Sequence, residues 1–189
     1  MRIEIEQTKR VLEMPLQKGP RLLLILGVFL VAGSFVAPLW NVAVSGPGIS
    51  PSGPPTVHTF HLGSVPPAIV IALGAVTLLF VRAALIGTFR SLVDSFVLYF
   101  FFSIGALWLL YGELSRFGRQ VASIRAARPG PGLPNVLFGR WENGGVHFAA
   151  SPGAGAWTLA VVALVLASAL YVAWRNARRE LTAEYLIAG

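Results

Sequence analysis

Three groups of residues in this chain are of types that carry chemistry. The first is its three histidines, His58, His61 and His147. Imidazole is a common ligand for zinc, copper and haem iron, so three of them brought together would make a metal site. His58 and His61 are three apart; a strand would turn them to opposite faces, a helical turn to one. The plainer alternative is three surface histidines in loops. There is no cysteine, and the methionines are Met1 and Met14, so nothing supports a soft copper(I) site.

The second group is Asp94 with Arg82 and Arg90. Charges inside apolar stretches are costly, and they mark ion or proton routes by default. Asp94 and Arg90 are also an i,i+4 pair, which favours a structural ion pair at a turn. A carrier requires polar groups near the middle of the bilayer, and there the sequence offers Leu, Val, Ala, Gly, Phe, Thr and Ser.

The third group is Ser151 with His147 and Glu142. It lacks the Gly-x-Ser-x-Gly frame of a nucleophile elbow. The chain has no P-loop, no Gly-x-Gly-x-x-Gly fingerprint and no His-Glu-x-x-His. No enzyme activity is expected. No cofactor is expected either, although contact with a metal, a pigment or a quinone stays open, the last two at the aromatic cluster Phe96, Tyr99, Phe100, Phe101 and Phe102.

The elements that must position these residues are apolar. The 189 residues are 55% hydrophobic and 12% charged, about half the charged fraction of a soluble domain. Four blocks, at 22–40, 67–86, 92–111 and 157–174, are long enough to span: about 20 residues at 1.5 Å each cross a hydrocarbon core of roughly 30 Å. Only a short turn at 87–91 separates the second from the third, so they form an antiparallel hairpin. Residues 22–40 read as a retained span rather than a signal peptide, because the apolar region is long and Pro38 follows the best small-residue site. Trp40 and Pro38 fit its exit.

The expected fold is therefore an all-α integral membrane protein, a four-transmembrane-helix bundle with a small extracytoplasmic cap containing a β-hairpin. The expected domains are an N-terminal tail (1–21), a transmembrane domain (22–175) and a C-terminal tail (176–189). Alternating patterns predict strands at 41–44 and 56–62 in the first outer loop, 41–64. In the second, 112–155, strands at 135–141 and 146–150 flank Asn143-Gly144, a strong hairpin signal. The two loops are expected to join into one sheet. Residues 112–128 read as an interfacial helix with Leu114, Phe117, Val121 and Ile124 toward lipid and Arg116, Arg119, Arg125 and Arg128 toward phosphates. Ala156, Ala160, Ala163 and Ala167 recur at i, i+4, i+7 and i+11 and predict a close-packing helix face.

The net charge of +7 reflects topology rather than nucleic-acid binding, since no Lys/Arg stripe with interleaved aromatics lies outside the apolar blocks. The tails and the short turn carry Arg2, Lys9, Arg10, Lys18, Arg21, Arg82, Arg90, Arg175, Arg178 and Arg179; the long loops carry only Arg116, Arg119, Arg125, Arg128 and Arg140. The positive-inside rule then puts both termini in the cytoplasm of a multi-pass inner-membrane protein. The order of spans and loops resembles four-span proteins of the claudin type. Of their Trp…Gly-Leu-Trp motif only Leu39-Trp40 is echoed and their two cysteines are missing, so no property is carried over.

The leading expectation is a non-catalytic accessory or scaffold subunit of a larger membrane complex, with an energy-transducing one, respiratory or photosynthetic, as the host. Its partners would be the lipid bilayer and other membrane subunits. The alternatives are a small transporter or channel subunit using Asp94, and an outward metal-binding protein using His58, His61 and His147.

Overall fold

The computed structural model describes residues 9–46, 55–61, 67–123, 137–143 and 145–188. The elements run α1 (Lys18–Ser34), β1 (Trp40–Ser45), β2 (Thr56–Phe60), α2 (Pro67–Ile86), α3 (Phe89–Ser123), β3 (Gly139–Asn143), β4 (Val146–Pro152) and α4 (Ala154–Ala188). Among the described residues three helices are long and apolar enough to cross a membrane, at Pro67–Ile86, Phe89–Val121 and Ala154–Ala183. The chain divides into two compact units: Met1–Ala32 with Ile71–Phe102 and Leu159–Gly189, and Gly33–Val70 with Ser103–Thr158.

The first unit is helical. Its core is aliphatic and aromatic: Leu24 and Val31 from α1, Leu73, Val76 and Phe80 from α2, Leu92 and Tyr99 from α3, and Val162, Leu166, Ala169, Ala173 and Ala177 from α4 are all buried. The α4 positions follow the 3.6-residue period, with one helix face turned inward. The Ala156, Ala160, Ala163 and Ala167 face is a different one. Ala160 and Ala167 are exposed and Ala156 and Ala163 half-buried, because the inward stripe is set one residue earlier, through Val162, Leu166 and Ala169. Phe80 and Tyr99 meet with ring centroids 5.8 Å apart. Tyr99, only 2% exposed, donates its hydroxyl to Leu159 O at 2.6 Å, which satisfies a polar group that burial would otherwise leave costly.

The second unit is built on an antiparallel sheet of order β2-β1-β4-β3. The two loops do join: Val42 pairs with His58 on one side and Ala150 on the other. Alternation sorts the faces. Trp40, Val42, Val44, Val146, Phe148 and Ala150 are buried on one; Asn41, Ala43, Ser45 and His147 lie on the other. Gly153 makes the step from β4 into α4 possible, because a Cβ there would stand 2.2 Å from Pro38 O.

Three expectations are corrected. The first apolar block is not one helix to Trp40. It stops at Ser34, and Trp40 opens β1, where strand pairing and a hydrogen bond from Leu39 N to Phe60 O (2.8 Å) take over after Pro38. The hairpin turn is shorter than 87–91, since α3 starts at Phe89. Residues 112–123 are not a separate interfacial helix but the continuation of α3, because a lone Gly112 costs a helix only about 1 kcal/mol. The apolar side expected to meet lipid is packed instead: Leu114 and Val121 are buried, and the Phe117 ring stands edge-on to His58 and Phe60 of the sheet, 4.9 and 5.8 Å away. Arg116 and Arg119 are exposed, and Arg116 Nη1 meets Glu113 Oε1 at 2.9 Å. Arg125 and Arg128 lie outside the described residues.

Candidate functional site at the α2–α3 turn

Among the described residues, the fold gathers Arg82, Arg90 and Asp94. They line a single pocket with Thr88, Ser91 and Ser95. Local sequence explains the geometry. Gly87, at φ +64°, ends α2 in the left-handed conformation that glycine adopts without strain. Thr88 then caps α3: its Oγ1 accepts from Ser91 N and its own N–H donates to Ser91 Oγ, both at 3.3 Å. This reciprocal pair is a capping box with serine in the place of the usual glutamate. It starts the helix that carries Arg90 and Asp94 on one side, one turn apart.

The hydroxyls of the wall are already committed. Ser91 Oγ donates to Thr88 O at 2.7 Å, and Ser95 Oγ donates to Ser91 O at 2.7 Å. The groups the pocket offers a ligand are thus two guanidinium ions and one carboxylate. All three are exposed. No ion pair within 4.0 Å joins Asp94 to either arginine, so the pairing expected from the i,i+4 spacing is not formed. By helical rise Asp94 is about 8 Å into α3 and Arg82 about 6 Å from the end of α2. Both are short of the middle of a 30 Å core and within reach of its polar edge.

The preceding segment backs this turn. Pro15 forms a β-bridge with Thr88, Leu16 N donates to Gly87 O, and Phe89 N donates to Met14 O at 3.0 Å. Arg21 Nε donates to Leu16 O at 2.9 Å, and Gln17 Nε2 donates to Glu180 Oε1 at 2.9 Å. The sequence reading placed these residues in the N- and C-terminal tails, with no role at this turn. The Gly87-Thr88-x-x-Ser91 pattern was the readable signal for the cap; the segment Met14 to Gln17 had none.

The other sets are not brought together. His58 sits opposite Val42, on the buried face of the sheet, and His147 sits opposite Ser45, on the other face. The three histidines therefore do not converge, and among the described residues no group of three or more His, Asp or Glu is placed to hold a metal ion. His147 Nδ1 lies 3.4 Å from Glu142 Oε2, its cross-strand neighbour. Ser151 is four residues along β4, about 13 Å by strand rise, so it is out of reach of that pair. In the aromatic cluster Tyr99 is buried, while Phe100 and Phe101 are exposed. Comparison of the chain with protein-family models gives no match, and comparison with the curated proteins gives none either.

Proposed function

We propose that the protein is a non-catalytic, four-span subunit of the inner (cytoplasmic) membrane that scaffolds a larger membrane assembly, with both termini in the cytoplasm. The observation that carries this reading is the amount of apolar helix surface the chain does not use itself. Only 17–28% of the residues in the apolar stretches of α2, α3 and α4 are buried within the chain. Phe100, Phe101, Ile104, Leu107 and Trp108 of α3 are exposed. Ala160 and Ala167 of α4 are exposed as well. Small residues allow close helix approach, which drives association inside a bilayer.

The fourth span is α1. Its apolar part, residues 22–34, rises about 20 Å, and local thinning of the bilayer accommodates the shortfall. An energy-transducing complex is the host class this reading favours. The competing carrier reading draws on the Asp94 pocket, whose charges lie toward one end of the spans rather than at their centre.

The absence of cysteine from the sequence makes a direct test simple. Single Ala160→Cys and Ala167→Cys variants labelled with a thiol-reactive photocrosslinker should crosslink to another chain in native membranes, and the buried Ala169→Cys should not. Equal crosslinking at all three positions, or none, would contradict the assignment of that face.

A further inference from the structure

A cationic patch lies on α4, outside the α2–α3 pocket. From Ala154 to Trp174 α4 carries no charged residue; these positions rise about 31 Å, the thickness of a hydrocarbon core. Arg175 follows at once, then Arg178 and Arg179. Together with Trp174 and Thr182 they line one open pocket. Arg175, Arg178, Arg179 and Thr182 recur at i, i+3, i+4 and i+7, which is a single helix face.

The patch is built. The Arg178 guanidinium carbon stands 4.1 Å from the centroid of the Trp174 ring, a stacking that orients its planar fork. Trp174 in turn meets Tyr171, with centroids 6.4 Å apart. Among the described residues no carboxylate lies within 4.0 Å of the three arginines. Glu180, their neighbour in sequence, accepts from Gln17 instead. Three cations thus sit, without an ion pair among the described residues, at the end of the uncharged stretch of α4, above an exposed aromatic edge that runs into the apolar zone.

We infer that this face binds the phosphate of an anionic glycerophospholipid, with Arg175, Arg178 and Arg179 on the phosphate and Tyr171 and Trp174 beside the upper acyl chains. A phosphodiester takes the bidentate fork of arginine. The depth and the aromatic edge select a lipid over a small anion. The inference rests on α4 crossing the bilayer, and not on which assembly the protein joins.

The test is native mass analysis of the full chain in mild detergent, with phosphatidylglycerol or phosphatidylcholine of matched chains added. Wild type should retain phosphatidylglycerol in preference. Each arginine removed should weaken retention about fivefold, so R175Q/R178Q/R179Q should abolish the preference. R116Q/R119Q should keep it. If the triple variant does not insert, Arg178→Gln alone, at an exposed position, should still weaken retention about fivefold. Equal retention of the two lipids by wild type, or unchanged preference in the arginine variants, would overturn the inference. So would displacement of phosphatidylglycerol by millimolar inorganic phosphate, which would mark a small-anion site.

Discussion

Arg21 occupies the space that a side chain at position 87 would need: a Cβ on Gly87 would stand 2.5 Å from Arg21 Nη2. The same glycine is at φ +64°. Gly87→Ala should therefore cost about 1–2 kcal/mol from backbone strain, with a further loss as the arginine is pushed aside. A thermal unfolding scan of the detergent-solubilised protein checks this. Repeating the substitution in an Arg21→Ala background should remove only the second part, and identical losses in both backgrounds would mean that Arg21 is not in the way.

Tyr99 reaches from α3 to the backbone of α4. Tyr99→Phe deletes one hydrogen bond and leaves the ring beside Phe80, so the cost should be about 0.5–1.5 kcal/mol. Equilibrium unfolding in mixed micelles measures it. A loss of several kcal/mol would indicate that the hydroxyl holds more than the Leu159 carbonyl.

Phe117 separates two placements of the end of α3. Packed on His58 and Phe60, as found, its truncation to Ala should cost about 2 kcal/mol and speed amide exchange in β2. Phe101→Ala, at a position 71% exposed, should leave β2 unchanged. If both variants behave alike, residues 112–123 do not brace the sheet.

Asp94→Asn and Arg90→Gln should each change stability by less than about 0.5 kcal/mol, because both residues are exposed and share no ion pair. A flux assay on Asp94→Asn in vesicles addresses the carrier reading. Transport that is present in wild type and lost in an intact variant would favour that reading over a scaffold.

What was legible in the sequence follows from which signals a membrane leaves visible. Strand alternation was clear: the strands expected at 41–44, 56–62 and 146–150 overlap β1, β2 and β4, since one strand face is apolar and the other polar, whereas the one expected at 135–141 begins only at Gly139. Helix rotation was not. In an apolar span, the residues facing lipid and those facing another helix have similar hydropathy, so Ala160 and Ala169 look alike though one is exposed and the other buried. Trp40 was misplaced for a related reason: an aromatic residue at the end of an apolar block fits a headgroup anchor as well as a strand core. At the turn, the sequence identified Arg82, Arg90 and Asp94. It did not reveal the strap from Met14 to Gln17, whose contacts are mostly backbone to backbone and leave no mark on residue type.

The central claim is that the exposed apolar faces are covered by other subunits. The most direct measurement is purification of the full chain from native membranes in mild detergent, followed by native mass analysis. The account predicts a defined complex with the protein at fixed stoichiometry beside larger subunits. A protein that runs alone, or only with copies of itself, would contradict it.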